Sequence, residues 1–194
     1  MIKKTLTLDY GGSFDGQVLD MLISEEEIQE RVKQIARQIS KDYRDKEKPP
    51  IMIGVLNGSF YFMADLLRAM TIEAEMDFIK ILPDQKKGGF DRYRPADQGY
   101  QRRHTQPRHY PCGGYYRYRP VDQVILRRHF ENSHPASVRV VVLLYKKEIT
   151  DVEVEPEYIG FEIPDKFIVG YGLDIEQQYR RLRDIFAMDM PKRQ

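Results

Sequence analysis

Ile51-Met52-Ile53-Gly54-Val55-Leu56-Asn57-Gly58-Ser59 is an apolar run that stops at an Asn-Gly-Ser turn. A short run without alternation reads as a strand buried on both faces, and such strands belong to parallel sheets covered by helices. The flanks agree. Upstream, Ile28, Val32, Ile35, Ala36, Ile39 and Tyr43 recur at spacings of three and four, the stripe of an amphipathic helix. Ser24 and Glu27 form a capping box at its start, and Pro49-Pro50 bars its continuation. Downstream, the pattern predicts a helix from Phe60 to Met70 and a strand around Glu75 to Ile81. After Pro135, Val138 to Leu144 and Tyr158 to Ile163 repeat the buried-strand pattern, and Pro164-Asp165-Lys166 is a turn. Ile168 to Leu173 reads as extended, with Gly170 and Gly172 permitting close approach of other groups. Strands alternating with helices predict an α/β fold, a central and mostly parallel sheet flanked by helices, with ligands at the carboxyl ends of the strands. A length of 194 residues suits one domain over 1–194 and makes two a squeeze.

From about 83 to about 131 the chain shows neither the helical nor the strand period, and Arg, Tyr, His, Gln and Gly crowd together. An irregular or disordered segment is expected there. It also holds the charge asymmetry. Over the whole chain 31 Lys and Arg face 30 Asp and Glu, yet Gln85 to His129 carries eleven basic residues and three Asp, leaving the remainder acidic. The segment reads as a solvated insert. One alternative is a single-stranded nucleic-acid binder working through arginine on phosphate and tyrosine on bases, although no RNA-binding motif accompanies it. Another is a metal site from His104, His109, Cys112 and His129, whose spacing fits no familiar zinc pattern. Cys112 is the only cysteine, so no intramolecular disulfide forms and a reducing compartment is expected. No apolar run approaches a membrane span. Lys3 and Lys4, followed by Asp9, Gly11 and Gly12, do not resemble a signal peptide, so the expected location is cytoplasmic.

Two blocks resemble bacterial-type hypoxanthine-guanine phosphoribosyltransferases. The first, from about Leu22 to Lys80, contains ISEEEIQERV, IGVLNGSFYFMADLLRA and DFIK; the second, from Pro135 to about Asp184, contains PASVRVVVLL, VEVEPEYIGFEIPDKFIVGYGLD and YRRLRDI. The resemblance implies a type I phosphoribosyltransferase-like fold. It also implies purine salvage: a phosphoribosyl group moves from Mg²⁺-bound phosphoribosyl pyrophosphate to hypoxanthine or guanine, giving IMP or GMP. A homodimer or homotetramer is expected.

Between the blocks the family pattern VEDIIDTG is absent, and Cys112-Gly113-Gly114-Tyr115-Tyr116-Arg117-Tyr118-Arg119-Pro120 stands in its place. The genetic code connects the two. Gly113 to Arg119 written as GGA GGA TAT TAT CGA TAC CGG, and read one nucleotide downstream, gives Glu-Asp-Ile-Ile-Asp-Thr-Gly. The same shift turns Asp97-Gln98-Gly99-Tyr100 into the Lys-Asp-Ile pattern that family members carry upstream. A compensated frameshift over roughly 83–131 is therefore expected, and the DNA sequence decides it.

Residue by residue, the resemblance implies that the backbone of Leu56-Asn57-Gly58, often with unusual peptide geometry, lies against pyrophosphate. Asn57 stands where many members have lysine. Lys146 matches the donor to the purine 6-oxo group, Phe167 the ring stacked on the base, and Ile168 the backbone at the purine edge. Asp174 matches a carboxylate near Mg²⁺ and pyrophosphate, and Arg180 an arginine reaching pyrophosphate. No catalytic acid or base is retained, because Arg117 occupies the position of the shifted-frame aspartate and a guanidinium is no base at neutral pH. Without the resemblance, Lys146 reads as a solvated strand-end lysine, Phe167 as core, and Asp174 and Arg180 as surface charges. A catalytically dead purine-binding or regulatory homologue is the alternative function.

Overall fold

The helix expected from Ser24 is α1, Glu25–Tyr43, in a computed structural model that describes residues 4–84, 89–95, 109–114, 136–147 and 156–189. Its capping box is formed: Ser24 Oγ accepts from the Glu27 amide, and Glu27 Oε2 accepts from the Ser24 amide at 2.8 Å. The predicted stripe is the buried face, from Ile28 to Tyr43. The apolar run becomes β3, Ile51–Leu56, whose first four residues are buried, and the Asn-Gly-Ser turn leads into α2, Phe60–Ala69.

Chain order begins with two short strands, β1 at Thr5–Thr7 and β2 at Val18–Ile23, ahead of α1. After α2 come β4 (Glu75–Asp84), β5 (Gly89–Pro95), β6 (His109–Gly114), β7 (Ser137–Tyr145), β8 (Tyr158–Glu162), β9 (Phe167–Val169) and β10 (Ile185–Met188). The larger sheet has the order β5-β4-β3-β6-β7-β8, parallel throughout except for the β4–β5 pair. Helix α1 spans from this sheet's edge to α2. Arg31 donates to the carbonyls of Ile159 and Gly160 on β8, tying the helix to that edge strand.

Two expectations are narrowed. Within 83–131, β4 runs on to Asp84, and Gly89–Pro95 and His109–Gly114 are strands; Arg117 and the rest of that segment lie outside the described residues. Strand β6 fills the slot between β3 and β7, with Gly113 beside both Gly54 and Val141. The reason is that a gap there would leave main-chain donors and acceptors of two central strands unpaired, and backbone pairing does not depend on side-chain pattern. Pro111 nevertheless brings no amide hydrogen, an unusual feature for a central strand. The second narrowing shortens the extended segment Ile168 to Leu173. Strand β9 ends at Val169, and Gly170 and Leu173 then exchange both main-chain hydrogen bonds across a tight turn, with Tyr171 and Gly172 at positive φ.

A second sheet, β1-β2-β10-β9, unites the two ends of the described chain and is antiparallel throughout. Leu8, Leu19, Val169, Ile175, Phe186 and Met188 form its own small core.

Candidate active site

Strands β3, β6 and β7 run parallel, so their carboxyl ends deliver Leu56-Asn57-Gly58, Gly113-Gly114 and Tyr145-Lys146 to the same end of the sheet. At the end of β3 the Leu56–Asn57 peptide is cis. Ser59 donates its hydroxyl to the Val55 carbonyl at 2.7 Å, folding the turn back on its own strand, and Asn57 is exposed. Gly58 lies against Gly172: a Cβ on Gly172 would stand 2.7 Å from the Gly58 carbonyl oxygen. That contact, together with a φ of +93°, explains why glycine occupies position 172.

Lys146 is only 4% exposed, which overturns its reading as a solvated strand-end lysine. Its ammonium donates to Asp165 Oδ1 at 2.8 Å and to the Lys166 carbonyl at 2.6 Å. Burial of a cation is costly unless it is paired and hydrogen-bonded, and here both conditions are met. The Pro164-Asp165-Lys166 turn thus holds the lysine beside the start of β9. Phe167, the first residue of β9, is half-buried, and Ile168 is buried in the small sheet opposite Ala187.

Asp174 and Arg180 close a turn of their own. Arg180 Nη2 meets Asp174 Oδ1 at 2.8 Å, Nη1 donates to the Gly172 carbonyl at 2.8 Å, and Asp174 Oδ2 accepts from the Gln177 amide. Ile175 and Gln178 bridge across Glu176 and Gln177, which have φ of 49° and 68°. Neither is a free surface charge, and both keep two non-glycine residues in left-handed backbone. Among the described residues no group of three or more His, Cys, Asp and Glu side chains converges as a metal cage. Asp174 offers a single carboxylate, short of the several oxygens a divalent cation takes.

Asp165 was not anticipated as a site residue; its signal was its place two residues before Phe167, in the turn that pairs with a buried lysine. Asp65 was missed as well. Its Oδ2 accepts from the Tyr171 hydroxyl at 2.7 Å and from Gln29, tying the Gly170-Tyr171-Gly172 turn to α1 and α2. Burial, with Asp65 beside it, drives the Tyr171 hydroxyl far above its usual range, so it stays a donor.

The hypoxanthine-guanine phosphoribosyltransferase of Streptococcus pneumoniae strain R6 is 32% identical over 172 residues, covering 87% of this chain and 92% of that protein. That of Dictyostelium discoideum is 34% identical over 169 residues, covering 84% and 91%. A solved asparagine mutant from an analysis of an invariant aspartic acid in HPRTs superposes with a TM-score of 0.77 at 33% identity, over 87% of this chain and 91% of that one. The hypoxanthine phosphoribosyltransferase of Trypanosoma cruzi in complex with the product IMP gives 0.74 at 32% identity, over 87% and 89%. No protein-family model matches the chain.

Proposed function

Because the chain belongs to the hypoxanthine-guanine phosphoribosyltransferase family, we propose that it keeps the purine-binding half of a salvage transferase for hypoxanthine and guanine and lacks the half that turns the substrate over. The observation that carries this reading is the buried Lys146, held by Asp165 and the Lys166 carbonyl next to Phe167. An ammonium has three donors and no acceptor, so it favours a 6-oxopurine and meets the amino group of adenine donor to donor. Phe167 supplies the stacking ring and the Ile168 backbone the purine edge. Gly58, abutting Gly172, lets the main chain approach pyrophosphate, and Arg180 reaches the same group by exchanging a contact within its own turn. Magnesium, arriving on pyrophosphate oxygens with Asp174 as one ligand, would neutralise phosphate charge.

Turnover is another matter. An acidic pair and an Asp-Thr-Gly loop would hold the ribose and its 5-phosphate at a helix N-terminus and handle the purine proton. At the end of β6 this chain has Gly113 and Gly114, which contribute no side-chain oxygen. The expected consequence is a loss of several orders of magnitude, from positioning and acid–base terms together. The location of β6 also extends the frameshift reading. His109 to Cys112 written as CAT TAT CCT TGT, shifted by the same nucleotide, gives Ile-Ile-Leu-Val, so that 109–119 becomes Ile-Ile-Leu-Val-Glu-Asp-Ile-Ile-Asp-Thr-Gly. That is an apolar parallel strand running into the absent motif, and it removes the proline from a central strand.

The test is a spectrophotometric assay of the purified chain with phosphoribosyl pyrophosphate, magnesium and hypoxanthine or guanine, with its gene sequenced alongside. Absence of turnover is the expected result, with GMP bound by the same chain in a separate calorimetric titration. Turnover in the ordinary enzymatic range, above about 1 per second, would show that the chain has a phosphate site of another kind. A cytoplasmic location and a homodimer or homotetramer belong to the same proposal; among the described residues no helix is long and apolar enough to cross a membrane.

A further inference from the structure

The loop between β1 and β2 touches the site at several points. It is closed at its base by Leu8 and its neighbours, with the Leu8 amide bonded to the Gln17 carbonyl and the Gly16 amide to the Leu8 carbonyl, each at 2.9 Å. Inside it, the Asp15 carboxylate accepts from the amides of Tyr10 and Gly11 at 2.7 to 3.1 Å, giving the loop a fixed shape. Four contacts tie the loop to the segment that carries Phe167, Asp174 and Arg180. The Phe14 ring stacks on Phe167 with centroids 6.3 Å apart and planes 10° from parallel. The Asp9 amide donates to the Tyr179 hydroxyl at 2.6 Å, while the Tyr10 ring meets the Tyr179 ring edge-on. The Ser13 amide reaches Glu176 Oε2 at 3.4 Å.

Glu176, Gln177 and Tyr179 all have positive φ, a conformation that persists in non-glycine residues only where surrounding contacts enforce it. Two of the three are gripped by this loop. Phe167 is only half-buried, so its ring needs a neighbour to hold its plane, and Phe14 is a nearly parallel one.

We infer that Phe14 is a positioning residue for purine binding: its ring holds Phe167 in the plane on which a purine stacks, and the surrounding loop holds the turn of Asp174 and Arg180. The inference rests on the purine-binding reading above. It is tested by titrating GMP into the full chain and into three variants, Phe14→Leu, Phe14→Tyr and Phe167→Leu, by calorimetry, together with the absorbance change of the purine band on binding and the melting temperature of each protein. Phe14→Leu is expected to weaken GMP about 2- to 10-fold, the scale of one aromatic pair, and to reduce the absorbance change. Phe14→Tyr, which keeps the ring, restores both, and Phe167→Leu weakens GMP about tenfold or more, as expected for a lost base-stacking partner. GMP affinity of Phe14→Leu equal to the parent's, or a Phe14→Tyr as weak as Phe14→Leu, overturns the inference while the loss in Phe167→Leu leaves purine binding standing. Failure of the parent chain to bind GMP, with Phe167→Leu no different, overturns purine binding itself and the inference with it. Should Phe14→Leu not fold, Phe14→Met makes the same comparison with apolar bulk retained and the ring removed.

Discussion

Where the purine is proposed to bind, Lys146, Asp165 and Phe167 come from stretches in which strand pattern and turn signals agree, and the structure buries the ammonium against Asp165 and the Lys166 carbonyl. Where the phosphate is proposed to bind, β6 occupies the slot between β3 and β7 but ends in Gly113-Gly114, with no carboxylate on either residue. The difference teaches that sheet topology and site chemistry are separable. Main-chain pairing recruits a strand of poor pattern into a central position, whereas a phosphate site needs particular side chains and a particular helix start, which pairing alone cannot supply.

The sharpest way to break this contrast is to rebuild the weaker end. Correcting the reading frame over 83–131, so that 109–119 encodes Ile-Ile-Leu-Val-Glu-Asp-Ile-Ile-Asp-Thr-Gly, should raise transferase turnover by several orders of magnitude. A corrected chain as inactive as the parent in the same spectrophotometric assay would show that the purine end is not functional either. Damage to the stronger end comes next. Lys146→Met removes a charged donor from a buried position and should weaken GMP by about tenfold to a hundredfold. An unchanged calorimetric affinity would remove Lys146 from the purine site.

Ser24→Ala tests whether the first arm is held independently of ligand. Losing the cap of α1 should cost about 1 kcal/mol in urea unfolding and leave GMP affinity unaltered. A change in affinity would mean that α1 couples to the site more tightly than its packing indicates.

The smallest expected effect is a pH dependence of the small sheet. Burial works against ionisation of Asp184, but the Lys4 ammonium and the Glu25 amide outweigh it and hold the carboxyl below its usual value. Ser13 bonds hold Glu176 low in the same sense. With folded-state values depressed, these contacts contribute fully above the ordinary carboxylate range of about 4 and are lost as pH falls through the folded values. Hydrogen-exchange protection factors, which divide out the intrinsic pH dependence of exchange, should therefore fall in residues 4–17 on acidification below pH 4 before they fall in β3 and β7. Simultaneous loss of protection would show that the two sheets open as one unit.

Much of the larger sheet was legible in the sequence because the first four residues of β3 and the second half of β7 are continuously buried and the helices carry wide apolar stripes. The capping box at Ser24 and Glu27 and the turn after Leu56 were equally plain. The small sheet was not, since β1 has three residues and β10 four, too few for any period to register, and the β2–β10 pair joins opposite ends of the chain. Strand β6 escaped for a different reason: His-Tyr-Pro-Cys-Gly-Gly has no strand pattern, and only the vacancy between two neighbours makes it one.

By itself the sequence determined the α/β class, the course of α1, β3, α2 and β7, and the family, because burial periodicity and family strings such as GFEIPDKFIVGYGLD are properties of local order along the chain. Only the tertiary structure decided that Lys146 is buried against Asp165, that Asp174 and Arg180 satisfy each other, and that Phe14 lies on Phe167, since each of these depends on which distant residues the fold places within hydrogen-bonding or van der Waals range.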